Sequence, residues 1–176
     1  MINWKNKILG RNINTRSMRI ETPPTYVHDT AKLICTRWHS ARQHFFISDI
    51  ETLAGRLGHI SETAPWLRFL MSHIYSSLTH SLGVACGHLI STRKDFRDML
   101  KFIKKGTSNL PEDATPKQKQ LARHVTFAQS QTAKAIHHSK QPMSFNNTLR
   151  IELRLIQRLL SSAWVDMSQP LGHMVG

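Results

Sequence analysis

The chain has 176 residues, enough for one medium domain or two small ones with a buried core. Its 24 Lys and Arg against 11 Asp and Glu give a net charge of +13 and a pI near 10.5, an excess that favours polyanionic partners through attraction and counterion release. No apolar run approaches the ~20 residues of a membrane span, which leaves a membrane out of the expected partners.

Cys35 and Cys86 are distant and unaccompanied, so no disulfide framework is implied. The opening MINWKNKILG has neither the apolar core nor the small-residue cleavage site of a signal peptide. The expectation is a reducing intracellular setting, cytoplasmic or nuclear.

Residues 1–20 carry Lys5, Lys7, Arg11, Arg16 and Arg19 and no acid, and Met18 and Ile20 alternate about Arg19. That pattern predicts a short β-hairpin turning at residues 14–17. Glu21-Thr22-Pro23-Pro24 is a break and a helix start. Val27, Ala31, Ile34, Cys35 and Trp38 then predict a helix over 25–42, and His44-Phe45-Phe46-Ile47 is an apolar connector.

Residues 47–82 read as two amphipathic helices joined by a short turn. Ser48 and Glu51 have capping-box spacing, and Ile50, Leu53, Ala54, Leu57 and Ile60 form one buried stripe. Thr52, Gly55, Arg56 and His59 share the opposite face. A mid-helix glycine costs about 1 kcal/mol relative to alanine, so Gly55 calls for a reason. Pro65 starts the second helix, Leu67, Leu70, Met71, Ile74 and Leu78 make its stripe, and Gly83 is its predicted stop.

Residues 84–91 are compatible with a turn or a short helix. Thr92, with Asp95 in the capping-box position, predicts a helix that buries Phe96, Met99, Leu100 and Ile103 and ends at Gly106. Lys94, Lys101 and Lys105 lie on its far side. A turn-rich loop leads to Thr115-Pro116 and a helix to about residue 139. Its apolar stripe is thin (Leu121, Val125, Ala128, Thr132, Ile136), and it carries Lys117, Lys119, Arg123 and Lys134 without an acid, so it belongs on the surface.

The last helix, 148–161, buries Leu149, Leu153, Ile156 and Leu160. Arg150, Arg154 and Arg158 recur every four residues as a cationic ridge. The tail WVDMSQPLGHMVG is extended in character, and its apolar ending predicts a continuation. The fold class is therefore mainly α, a helical bundle with a short N-terminal β-hairpin.

Eleven histidines raise the question of metal, but no close ligand pairs of zinc-site spacing occur with a partner pair. Asp95 and Asp98 are interleaved with Arg93, Lys94 and Arg97, which favours salt bridges over a two-metal site. No nucleophile elbow, P-loop or paired-carboxylate constellation stands out, so catalysis by this chain alone is not expected. Exposed cationic helix faces suit phosphates, which they contact without reading sequence. A glycine beside an arginine on an outward face admits a phosphate backbone, whereas Gly55 and Gly58 could equally serve close helix packing. The two roles are compatible, one glycine each.

The order of features resembles retrotransposon reverse transcriptases where the chain leaves the palm, forms the thumb and leads toward RNase H. The residues carrying the resemblance are Leu9-Gly10, Ile13-Asn14-Thr15, Met18-Arg19-Ile20, Pro23-Pro24, the block from Leu53 to His59, and Pro65-Trp66-Leu67-Arg68-Phe69-Leu70. Gln169-Pro170-Leu171-Gly172-His173-Met174 is similar to the lead-in before RNase H.

The Tyr/Phe-x-Asp-Asp turn and further aspartate of the polymerase palm are absent, as is the acidic cluster of RNase H. The resemblance thus implies a non-catalytic piece of a Pol polyprotein: an end-of-palm hairpin remnant (1–24), a thumb-like helical domain (25–106) and a helical connection segment (107–176). Segment 107–148 matches that pattern least.

The resemblance further implies that Gly55, Arg56 and His59 face an RNA–DNA or DNA duplex, with Arg68 nearby. Lys94, Lys101, Lys105, Arg150, Arg154 and Arg158 are additional candidates from their ridges. No cofactor is expected in this chain, and Mg only with the missing palm and RNase H domains. The missing Pol domains are the implied protein partners. An independent basic nucleic-acid-binding adaptor and an inert relic are the rival readings.

Overall fold

A computed structural model describes residues 5–8, 10–107, 109–162 and 167–170, and the fold is mainly α. The described residues fall into two compact units. The first comprises Met1–Phe45, Asp49–Leu78 and Ser144–Gly176, and the second Phe46–Ser48 and Thr79–Met143.

In the first unit the expected hairpin is the centre of a larger sheet. β1 (Lys5–Ile8), β2 (Arg11–Asn14), β3 (Arg19–Glu21) and β6 (Ser168–Pro170) form an antiparallel sheet in the order β1-β2-β3-β6. Ile13 pairs with Ile20, and Ile20 in turn with Gln169. The β2–β3 turn is held by Asn14, whose side-chain oxygen accepts from the backbone N–H groups of Arg16 and Ser17, each at 3.1 Å. Met18 closes it at φ 51. Between β1 and β2 the chain passes through φ 77 at Gly10, a conformation glycine adopts without a Cβ clash.

α1 (Pro24–Arg37) starts on a proline as expected but ends short of residue 42. Arg42 accounts for the difference. Its guanidinium donates to the carbonyls of Arg37 (2.9 Å) and His44 (2.6 Å) and pairs with Asp49, closing a loop that a longer helix would forbid. Beyond it, β4 (His44–Phe45) joins Ser144 of β5 (Met143–Ser144) in a two-stranded pair. Trp38, Phe45 and Phe145 pack with ring centroids 5.3 to 6.3 Å apart.

α2 (Ile47–Ser61) buries the expected stripe of Ile50, Leu53, Ala54, Leu57 and Ile60. The predicted second helix is instead two elements. Residues Pro65–Leu70 form a 3-10 helix, and α3 (Ser72–Thr92) follows. Pro65 has no N–H to donate, and the segment opens on the short Leu67 N–H to Ala64 carbonyl bond of 3.0 Å.

α3 runs straight through Gly83 and takes in residues 84–91, correcting both the predicted stop and the alternative of a turn there. The buried positions Ile74, Ser81, Ala85 and Leu89 continue one helical stripe across the glycine, and that burial outweighs its ~1 kcal/mol propensity cost. α6 (Asn147–Leu160) begins one residue earlier than expected, because the side chain of Asn146 accepts from Leu149 N–H at 2.8 Å. It buries Leu149, Leu153, Ile156 and Leu160 and packs on α1 and the 3-10 helix.

The second unit contains the C-terminal part of α3 with α4 (Lys94–Lys105) and α5 (Pro116–His137), the last two packed together around Phe96, Ala122, Val125 and Ala128. Thr92 does not cap α4, since its hydroxyl donates back to the His88 carbonyl at 2.7 Å within α3, and the cap position is Arg93. Gly106 ends α4 with φ −123, not in the left-handed region. Its requirement is room: a Cβ there would overlap Val125 Cγ2. Thr115 and Gln118 make the capping box that opens α5. The residues after Pro170, including Leu171 to Met174, lie outside the described residues, as does Leu9.

Candidate nucleic-acid interface

α2 carries the first candidates because its buried stripe fixes which face is outward. Gly55 is exposed, and a Cβ built on it would meet nothing within 4 Å. Gly58, by contrast, lies against α3, where a Cβ would sit 3.6 Å from the Tyr75 hydroxyl. Gly58 thus faces α3 at ordinary contact distance, with room for a methyl group, and Gly55 faces open space.

Arg56 is half-buried with its guanidinium 5.5 Å from the centroid of the Tyr26 ring on α1, a cation–π placement. The same ring meets His59 edge-on at 5.0 Å, so Tyr26 brings Arg56 and His59 together. His59 is further fixed by Arg11 of β2, whose Nη2 lies 3.2 Å from both its Nδ1 and its backbone carbonyl. An arginine has no acceptor, so His59 Nδ1 is the accepting atom of this contact.

Arg11 is buried, forms an ion pair with Glu62, and places its charge at the C-terminal turn of α2, where the helix dipole favours a cation. Its Nη1 has no hydrogen-bond partner among the described residues. The sequence marked Arg11 only as one basic residue of the hairpin. Its position before an apolar alternation gave no sign that it would be enclosed.

Arg68 is exposed on the 3-10 helix. On α6, Arg154 and Arg158 are exposed, but Arg150 is engaged elsewhere. Its guanidinium donates to the carbonyls of Ser40, Arg42 and Phe145 and lies 4.2 Å from the Phe145 ring centroid. It ties the start of α6 to the loop after α1, so the structure separates it from its two ridge neighbours.

Lys94, Lys101 and Lys105 are exposed on α4 in the second unit, with Lys101 Nζ 3.7 Å from Asp98. At the start of α4, Asp95 is held below the usual carboxylate range, mainly by the hydrogen bond from the Arg93 side chain. Among the described residues no three His, Cys, Asp or Glu side chains are placed to hold a metal ion, and no helix is long and apolar enough to cross a membrane.

The geometry defines a mainly helical, strongly basic protein, with Arg68, Lys94, Lys101, Lys105, Arg154 and Arg158 exposed on its helices and Arg11 and Arg150 engaged within the fold. Comparison with family models, curated proteins and solved structures finds no match to the chain.

Proposed function

We propose that this chain is a non-catalytic fragment of a retroelement reverse transcriptase, an RNA-directed DNA polymerase, that grips a template–primer duplex through backbone contacts. The observation that carries the reading is the outward face of α2. Gly55 leaves an unobstructed patch of helix surface one residue from Arg56, whose guanidinium is steadied by Tyr26. A duplex backbone approaches closest where no side chain stands between it and the helix, and an adjacent cation then meets its phosphate.

Arg68, exposed on the next element, supplies a second cation in the same unit. Contacts of this kind hold a duplex by its shape and charge and leave its sequence unread. In the intact polymerase the neighbouring Pol domains would supply the chemistry.

The test is binding of a labelled template–primer by the chain and by an Arg56→Ala/Arg68→Ala variant across a salt series. The reading expects weaker binding and a log–log salt slope shallower by about 0.7 to 0.9 for each lost phosphate contact. Equal affinity and slope for the two proteins would rule it out.

A further inference from the structure

The least expected surface lies on α5, in the segment to which the sequence gave no role. Phe127 is 65% exposed on that helix. Lys119, Arg123 and Lys134 are exposed as well, and their side chains make no hydrogen bond or ion pair among the described residues. At 100° per residue, Lys119, Arg123, Phe127 and Lys134 fall within about 80° of one another, on a single stripe about 22 Å long.

Successive members from Lys119 to Phe127 are about 6 Å apart along the axis. α5 contains no Asp or Glu to neutralise them. Beside the stripe runs a groove of about 570 Å³, with Leu110 of the preceding loop among its lining residues together with Lys119, Arg123, Thr126 and Phe127.

We infer that this face of α5 is a binding site for single-stranded nucleic acid, with Phe127 as a stacking platform for an unpaired base and Lys119, Arg123 and Lys134 as phosphate contacts. Charge selects the class of ligand, because an acid-free cationic stripe repels basic partners and gains from a polyanion by counterion release. The exposed ring selects the strand state. A base in a duplex has both faces already stacked, whereas an unpaired base offers a free π-face, and every base has one, so the site tolerates any sequence.

The inference does not rest on the duplex reading. It uses other residues in the other unit, and its loss would leave the α2 surface untouched.

The experiment measures anisotropy of a labelled oligothymidylate about 16 nucleotides long, and of an abasic strand of equal length, with the full chain. The native chain should prefer the base-bearing strand. Phe127→Ala should lose roughly 5- to 150-fold in affinity for it, with little change for the abasic strand and an unchanged salt slope. Phe127→Trp should keep the affinity, and Arg123→Gln should flatten the slope by about 0.7.

Arg56→Ala/Arg68→Ala should leave the preference for the base-bearing strand intact, which separates this site from the duplex surface. Equal binding of abasic and base-bearing strands would overturn the inference, as would full affinity in folded Phe127→Ala. Preference for an apolar acidic peptide over either strand would also overturn it, and would make the groove a protein-docking site.

Discussion

Removing the carboxylate of Glu152 should destabilise the first unit far more than an average substitution. Glu152 projects from α6 with only 8% of its side chain exposed and accepts three hydrogen bonds at the start of α3. Two come from backbone N–H groups of His73 (3.2 Å) and Ile74 (3.1 Å), and the third is its 2.6 Å contact with His73 Nδ1. α3 has no acid in its own first turn, so a residue from another helix serves as its cap and complements its dipole.

Loss of a helix cap costs about 0.5–2 kcal/mol. Leaving a buried donor unpaired costs about 1–3 kcal/mol, and Ile74 is fully buried. The terms overlap, so Glu152→Ala should cost about 2–4 kcal/mol in all. Glu152→Gln keeps one acceptor and should lose about half as much, while His73→Ala, at a side chain 52% exposed, should lose under about 1 kcal/mol.

Urea unfolding followed by tryptophan fluorescence reports on this unit, because the described tryptophans Trp38 and Trp66 belong to it. With m of about 2 kcal/mol/M, the midpoint should fall by roughly 1–2 M for Glu152→Ala. A midpoint shift below about 0.3 M at unchanged m would refute the idea that α6 caps α3.

Two further predictions concern the second unit. Gly106→Ala should lower stability by about 1–3 kcal/mol, read by circular dichroism, because the new methyl overlaps Val125, a β-branched and fully packed side chain; an unchanged melting curve would contradict the packing. Arg93→Gln should return the lowered Asp95 titration toward the ordinary carboxylate range, measured by NMR. Because the folded-state value is depressed, the stabilisation from this pair is present above the unfolded carboxylate value and fades as pH falls through the folded one, and an unmoved titration would assign the shift to another cause.

The helical stripes were legible in the sequence because each needed only local periodicity. The α2 stripe and the helix start at Thr115-Pro116 both follow from residues a few positions apart. What the sequence could not supply came from distant partners. Arg42 shortens α1 by bonding carbonyls on either side of it and pairing with Asp49. Residues 168–170 add the fourth strand of the sheet by pairing with β3. Gly83 carries the local mark of a helix end, yet the burial pattern on both sides of it outweighs propensity.

The candidate site divides in the same way. The outward position of Gly55 and the exposure of Arg68, Arg154 and Arg158 follow from stripe geometry. Arg150 has the same spacing but is drawn into the carbonyls of Ser40 and Arg42, far away in sequence. The i, i+4, i+8 run of Lys119, Arg123 and Phe127 was present as a signal. Its meaning depended on the ring being exposed, which a thin apolar stripe does not decide.

A duplex held by its backbone on α2 and the 3-10 helix, as proposed, binds with an affinity that follows salt and ignores sequence. The most direct measurement is the dissociation constant of the full chain for two template–primers of unrelated sequence across a salt series, beside the Arg56→Ala/Arg68→Ala variant. The two sequences should bind with matching affinities and a steep salt dependence, and the variant's slope should be shallower by about 0.7 to 0.9 per lost contact. Sequence-dependent binding, or a variant indistinguishable from the native chain at every salt concentration, would contradict it.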